Sequence, residues 1–249
     1  MKIIKLDAIN STNEFLKEFI KVNSIKNNYL VYTFNQTKGK GQRGKVWVSE
    51  SGKNLAISTC LFPGKIKIKE QFILNMFFSL FIINTLKSLK IPDLKIKWPN
   101  DILSGNKKIC GILCEIKVKG EHIENLIVGF GINVNQLNFK NLPNASSLKL
   151  IKNITYDLDN LIDLFIKNLK NNNDFINSFK SFSKSDIENL IDNYNKNLYG
   201  INQLKSYVDS NGSSFNGMII SVDKSGLINI EKEDCSINTY NFQEIQTII

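Results

Sequence analysis

Apolar residues first recur at helical intervals at Phe15, Leu16, Phe19 and Ile20. The stretch STNE just before and into them, residues 11–14, has capping-box spacing, with Ser11 placed to cap and Glu14 three residues on, so a helix is predicted to start there. The run YLVYTF at 29–34 is β-branched and aromatic and predicts a strand that enters a glycine-rich loop. Residues 46–61 beyond the loop read as strand, turn at Ser51 and Gly52, strand. The segment 72–86, FILNMFFSLFIINTL, is strongly apolar but shorter than the ~20 residues a bilayer requires. Asn75, Ser79 and Asn84 interrupt it at near-helical spacing, which predicts a buried amphipathic helix.

The pattern then changes to period two. Residues 94–98, a turn at Pro99, Asn100 and Asp101, a tight turn at 104–106, and the runs 109–118 and 123–135 predict successive antiparallel strands. From 157 to 198 the apolar positions return to helical intervals (Leu158, Leu161, Ile162, Leu164, Phe165, Leu169), predicting two or three helices. After Gly200, short apolar stretches separated by Asn211-Gly212 and by 224–226 predict a small β-barrel, with a domain boundary near Tyr199. The fold class expected is α/β in the broad α+β sense: a mixed, largely antiparallel sheet with packed helices over 1–198, and a small β-barrel over 199–249.

Composition narrows the function classes without choosing one. A 249-residue chain with 42% hydrophobic and 22% charged residues has an ordinary globular balance. The formal charge of +9 would attract nucleic acid, nucleotides or an acidic partner, but the lysines are dispersed along a chain rich in Lys, Asn and Ile instead of clustered. Cys60, Cys110, Cys114 and Cys235 form no C-x-x-C pair and His122 is the only histidine, so a zinc site lacks ligands and a reducing cytoplasm is expected. The N-terminus shows no apolar signal core.

The loop GKGQRGKVW, residues 39–47, fits the first seven positions of a phosphate-binding P-loop, with Gly39, Gly44 and Lys45 in place, but Val46 stands where Ser or Thr is required. A P-loop lysine opens a helix whose amides hold the phosphates. Lys45 instead leads into VWVSE, which predicts a strand. The loop therefore needs another explanation.

Four segments supply one: QTKGKGQRGKVW (36–47), KWPND (97–101), KKICGILCE (107–115) and GFGINVN (129–135). In this order they resemble the biotin protein ligases, whose segments read approximately G-R-G-R-x-G-x-x-W, K-W-P-N-D, K-x-x-G-I-L-x-E and G-x-G-I-N-x-N. Ser11, Thr12 and Asn13 and the C-terminal β unit also match, so the resemblance covers essentially the whole chain. It implies a two-step reaction in which biotin and MgATP give biotinyl-5'-adenylate and pyrophosphate, and a lysine of a biotin carboxyl carrier domain then takes the biotin. It also implies that the C-terminal barrel is SH3-like, and that the carrier can dock by extending the sheet, an edge mode that also permits a homodimer. The chain begins almost at the catalytic segment, so no DNA-binding domain is expected ahead of it, and no membrane partner.

The chemistry asks for fixed cations, because a carboxylate must meet an α-phosphate while charge builds on the phosphoryl oxygens. Lys108 falls on the family's site lysine, and its compact ammonium can touch both anions. Lys40, Arg43 and Lys45 bring charge on the loop, and Gly39, Gly41 and Gly44 free its backbone amides to converge on an anion as the loop closes over the adenylate. Ser11, Thr12, Asn13 and Gln36 match positions that hydrogen-bond the ureido ring of biotin, and hydroxyl and amide groups suit a neutral heterocycle. Lys40, Gly41, Gln42, Lys108 and Gly111 are also assigned to the biotin side. Gly39, Arg43, Lys45, Trp47, Lys97, Asn100, Asp101, Gly129, Gly131 and Asn133 are assigned to ATP and the adenylate. Gly111, Gly129 and Gly131 interrupt strands, which marks a bulge or a ligand against bare backbone. Trp47 is either a core aromatic or a direct contact. Asp101 either orients Lys108, meets the metal-bound nucleotide or serves a turn. No protein ligand for the magnesium ion is assigned.

The chain departs from the pattern at Lys40 and Gln42, where arginines are usual, so one cation is missing beside the expected junction of carboxylate and phosphate. The nearest rival reading is a lipoate or octanoate ligase or transferase, against which the Ser-Thr-Asn triplet and KWPND speak. A basic nucleic-acid-binding module is the distant one, and SYVDSNGSSFNGMIISVD (206–223) is poor in the cations it needs.

Overall fold

The computed structural model describes residues 1–63, 66–172 and 183–248, without the side chain of Arg43. Its strands and helices run β1 (Lys2–Lys5), α1 (Thr12–Val22), β2 (Tyr29–Thr33), β3 (Gly39–Lys40), β4 (Val46–Trp47), β5 (Leu55–Leu61), α2 (Phe72–Ser88), β6 (Leu94–Lys97), β7 (Asp101–Ser104), β8 (Lys107–Lys119) and β9 (His122–Ile132). There follow α3 (Leu148–Lys152), α4 (Leu158–Asn171), α5 (Lys184–Lys196), β10 (Leu204–Asp209), β11 (Ser214–Val222), β12 (Ile228–Lys232), β13 (Ile237–Tyr240) and β14 (Ile245–Thr247). Part of the predicted helical region, 173–182, lies outside the described residues.

A seven-stranded sheet in the order β1-β2-β5-β9-β8-β7-β6 forms the frame. All of its pairings are antiparallel except β1 with β2. Alternation decides which face each residue takes. On β5, β8 and β9 the positions Leu55, Ile57, Cys110, Ile112, Val128, Phe130 and Ile132 join the main core against α2, α4 and α5. The alternate positions are small: Ala56, Ser58, Gly111, Gly129 and Gly131. One face of the central strands is thus a packed core and the other a floor low enough to be recessed. Farther along that second face, α1 seals a smaller cluster of Leu16, Tyr29, Val31, Cys60 and Ile127.

Two helices differ from expectation. Ser11 caps α1 by accepting from the Glu14 amide at 3.4 Å. The reciprocal half of the predicted capping box is missing, because the Glu14 carboxylate is drawn to Lys17 at 2.8 Å and Lys40 at 3.2 Å. The α2 helix is buried nearly all round and not amphipathic: Asn75 and Ser79 are buried, Asn75 donating to the Pro99 carbonyl, and only Asn84 of the three faces solvent. No helix among the described residues is long and apolar enough to cross a membrane.

The C-terminal strands form a five-stranded antiparallel sheet in the order β13-β12-β11-β10-β14, bent by a register shift between Ile219 and Ser221. Its edge strands β13 and β14 do not pair with each other among the described residues, so the sheet is open in its hydrogen bonding. Tyr207, Ile219, Val222, Ile228 and Ile230 pack into the same core cluster as α2 and the large sheet. Two polar joints fix the attachment. The indole of Trp98 donates to the Gly226 carbonyl at 3.0 Å, and Asn195 on α5 exchanges two hydrogen bonds with the backbone of Val222.

Gly226 at this joint has φ +92°, and a Cβ there would lie 2.5 Å from the Phe72 ring. Gly226→Ala combines left-handed strain with overpacking and is expected to lower unfolding stability by at least about 2 kcal/mol, read from denaturant titration.

Candidate active site

A cavity of about 450 Å³ opens over the floor of small residues. The start of α1 contributes Ser11, Thr12 and Asn13, and Gln36 stands opposite. The glycine loop adds Lys40, Gly41, Gln42, Lys45 and Trp47. The β6–β7 turn and β8 bring Lys97, Asn100, Asp101, Lys108 and Gly111, while β9 supplies Gly129 and Gly131. Gly39 and Asn133 do not line it.

Asn13 and Trp47 explain the glycines. A Cβ on Gly129 would sit 2.1 Å from Asn13 Oδ1, and one on Gly131 would sit 2.4 Å from the Trp47 ring. Gly111 pairs with Gly131 across β8 and β9, and its Cβ would be 2.9 Å from the same indole. At Gly129 and Gly131 the expected bulge is corrected, since the register with both neighbouring strands runs unbroken through them; a side chain of this protein approaches each of the three glycines closely, and all three also line the cavity. Gly129 and Gly131 are two residues apart, so the Asn13 and Trp47 stations lie roughly 7 Å from each other along β9.

Hydrogen bonds organise the Asn13 end. The Thr12 amide donates to Gln36 Oε1 at 2.9 Å, and the Thr12 hydroxyl is 3.1 Å from the same oxygen. Asn13 Nδ2 donates to Glu115 at 2.7 Å. Ser58, fully buried on β5, reaches both the Thr12 hydroxyl and Asn13 Oδ1. Neither Ser58 nor Glu115 was singled out from sequence. Glu115 closes the third segment and Ser58 hides in an apolar run. The signal that could have found Ser58 is the alternation of small residues on β5.

Cations gather at the Trp47 end. Lys108 Nζ is 2.7 Å from Asp101 Oδ1 and 5.4 Å from the centre of the Trp47 ring, so Asp101 pairs with Lys108. Backbone bonds hold Lys108 in place: its amide donates to the Asn144 carbonyl at 2.7 Å, and its carbonyl accepts from Ser146 at 2.9 Å. Asn133, assigned from sequence to the nucleotide, instead donates to the Ser146 carbonyl at 2.9 Å and so supports that strip from below. Burial pulls the pKa of Lys97 down, Asp101 opposes that, and Lys108 and Lys45 lower it further. Lys45, Lys97 and Lys108 thus share one end of the cavity, where Asp101 pairs with Lys108. Asn100 clamps β8 just before β7 begins, its side-chain amide donating to the Ile112 carbonyl and its backbone carbonyl accepting from the Ile112 amide.

The glycine loop is a short hairpin, with Gly39 opposite Trp47 and Lys40 opposite Val46. A strand succeeds Lys45, as predicted. The loop's glycines do not act alike. Only Gly44 has a positive φ, +73°, whereas Gly39 is needed because Gln36 and the Trp47 carbonyl crowd it. The Gly41 and Lys45 amides are used inside the loop, on Lys45 and Gln42 carbonyls, so they do not converge on an anion. Lys40 pairs with Glu14, and hydrogen bonding from Lys17, against partial desolvation and with Lys40 adding, holds the Glu14 carboxyl below its usual range. The side chain of Arg43 lies outside the described residues.

The remaining wall comes from the C-terminal sheet. Asp209 and Ser210 at the end of β10, and Phe242, Gln243 and Glu244 before β14, line the same cavity. Sequence reasoning missed them, since nothing local ties residues 209 or 244 to Lys108. Among the described residues no cluster of three or more His, Cys, Asp or Glu side chains could hold a metal ion.

Comparison with known proteins matches this geometry to a family. Residues 6–133, about half of the chain, match the biotin/lipoate A/B protein ligase family. The bifunctional ligase/repressor BirA of Bacillus spizizenii is 33% identical over 134 residues, covering 54% of this chain and 41% of that protein. The biotin-[acetyl-CoA-carboxylase] ligase of Paracoccus denitrificans is 34% identical over 100 residues, 40% of this chain and 41% of that one. The chain thus spans about two fifths of the length of these curated relatives. Among solved structures, the biotin protein ligase of Aquifex aeolicus in complex with biotin and ATP superposes with a TM-score of 0.78 at 23% identity, over 99% of this chain and 98% of that one. The biotin acetyl coenzyme A carboxylase synthetase of Helicobacter pylori superposes with a TM-score of 0.60 at 21% identity, over 96% and 100%. By the match of its first half, the chain belongs to the biotin/lipoate A/B protein ligase family.

Proposed function

We propose that this protein is an ATP-dependent ligase that forms biotinyl-5'-AMP from biotin and ATP and transfers the biotin to a lysine of a biotin carboxyl carrier protein. One observation carries the reading: a single cavity joins an uncharged end of hydroxyl and amide groups to a cationic end where Lys45, Lys97 and Lys108 outnumber Asp101. A neutral heterocycle suits the first end and a carboxylate meeting a phosphate the second. The relatives named as biotin ligases support the same choice.

In this reading the ureido ring lies against Thr12, Asn13 and Gln36, and the carboxylate points toward Lys108. A carboxylate oxygen attacks the α-phosphorus, a new P–O bond forms, and the bond to the β-phosphate oxygen breaks to release pyrophosphate. Lys108, with Lys97 and Lys45 beside it, offsets the negative charge that brings the two anions together. Asp101 holds the Lys108 ammonium until the substrates arrive. Trp47 walls the junction, and Lys40, Gln42 and Arg43 close over it. Magnesium enters as part of MgATP, held by the phosphates. In the second step the amine of the carrier lysine attacks the acyl carbon, the amide bond forms, and AMP leaves.

The carrier's route is supported by β8. Its pairing with β7 ends at Gly111, so beyond the Asn100 clamp residues 113–119 have a strand neighbour only on the β9 side among the described residues. That open edge begins beside the cavity, where Leu113 lines it. It suits strand addition by a carrier or by a second copy. We read residues 1–198 as the catalytic domain and 199–249 as an SH3-like barrel domain that completes the cavity wall, a reading supported by the bend in β11.

Biotin should drive ATP–pyrophosphate exchange, while lipoate and octanoate should not; exchange equal with all three acids would overturn the choice of biotin. Lys108→Ala is expected to cut exchange at least about 100-fold with the unfolding transition unchanged. Gln42→Arg restores a cation at the junction and is expected to slow release of biotinyl-adenylate several-fold, measured by dissociation of the labelled adenylate from both proteins.

A further inference from the structure

Ser58 and Glu115 take part in an ordered chain of hydrogen bonds. Lys17 Nζ lies 2.6 Å from Glu115 Oε1, and Asn13 Nδ2 lies 2.7 Å from Glu115 Oε2. A carboxylate paired with an ammonium only accepts hydrogen bonds. Asn13 must therefore turn its NH₂ to Glu115, which leaves Oδ1 facing Ser58 Oγ at 2.5 Å. That oxygen also only accepts, so it takes the one hydroxyl proton of Ser58. Ser58 Oγ is placed to donate to the Thr12 hydroxyl as well, at 2.6 Å, but its one proton cannot serve both partners; committed to Asn13 Oδ1, which can only accept, it leaves the Ser58 oxygen as an acceptor toward Thr12. Gln36 Oε1, fixed by the Thr12 amide at 2.9 Å, is an acceptor as well. Both protein neighbours of the Thr12 hydroxyl thus call for its proton, and its lone pairs are left to the cavity. The same fixing of Gln36 leaves its other terminus, Nε2, with the donors.

We infer that Glu115 is a positioning residue that sets the sense of this chain, making Thr12 an acceptor for a ligand N–H while Gln36 remains a donor for the adjacent carbonyl. This rests on the biotin reading, for a cyclic urea presents that N–H and C=O side by side. Specificity for the ring then depends on a carboxylate that does not line the cavity. The ion pair to Lys17 supports Glu115 but does not set the direction, since the acceptor-only carboxylate is what Asn13 reads.

Glu115→Gln keeps the shape but offers a donor as well as an acceptor. Asn13 is then free to flip, Ser58 to donate to Thr12, and Thr12 to turn its proton into the cavity. In ATP–pyrophosphate exchange the variant should raise KM for biotin by about tenfold, with kcat and KM for ATP within about twofold and the unfolding transition unchanged. Lys17→Met, which removes the ion pair and keeps the acceptor, should leave KM for biotin within about twofold. Wild-type protein that shows no exchange with biotin overturns the biotin reading and this inference with it. Active wild type with unchanged KM for biotin in Glu115→Gln overturns this inference alone, as does an equal rise in Lys17→Met or a loss confined to kcat.

Discussion

The close approach of Asn13 and Trp47 to bare backbone is the constraint on which the site depends. Both side chains occupy volume that a Cβ on Gly129, Gly131 or Gly111 would claim. Glycine inside a strand costs stability through chain entropy and lost packing. Here the cost is offset on the opposite face, where Val128, Phe130 and Ile132 alternate with the glycines and are buried against α2 and α4. The central place of β9, paired on both sides, keeps its register fixed despite two missing side chains. One strand therefore carries two tasks on its two faces, and the period of two keeps them apart.

The same recess concentrates charge. Lys45, Lys97 and Lys108 share a partly enclosed space, and burial together with their mutual repulsion weakens the proton affinity of Lys97. A stable protein tolerates such a group where a ligand relieves it, which is why local rules tend to break at functional sites. Asp101 answers one of the three positive charges, at Lys108. The deficit is the size of the charge that a carboxylate and an α-phosphate bring, so the arrangement of side chains and the proposed chemistry rest on one balance.

Much of this was legible along the chain, and the limits have physical causes. The central strands, the buried helix and the strand after Lys45 could be read because local periodicity encodes them. Lys2–Lys5 is too short and too charged to announce a strand, and becomes β1 only by pairing with Tyr29–Thr33. The glycines in 111–131 were visible, but their cause was not: a sequence shows that room is kept, not which side chain takes it. Asn133 looked like a ligand contact because it sits in a motif, yet its amide serves the strip behind Lys108. The wall from Asp209 to Glu244 depends on Trp98 and Asn195 bolting the C-terminal sheet in place, contacts that span 128 and 27 residues.

The glycine loop shows how a substitution at one position redistributes work. An arginine fork can bind a carboxylate through two parallel hydrogen bonds, whereas Lys40 offers a point charge and Gln42 none. Lys40 is already engaged, for it joins Glu14, which joins Lys17, which joins Glu115 and so Asn13. The loop is tethered to α1, whose start lines the cavity with Thr12 and Asn13. In the proposed reaction, an acyl-adenylate that draws Lys40 into the cavity must release it from Glu14, so part of the attraction is spent on breaking an existing pair. On the proposed chemistry, a loop closed in this way would hold its product less firmly than one with two free arginines, because the Glu14 carboxylate competes for Lys40.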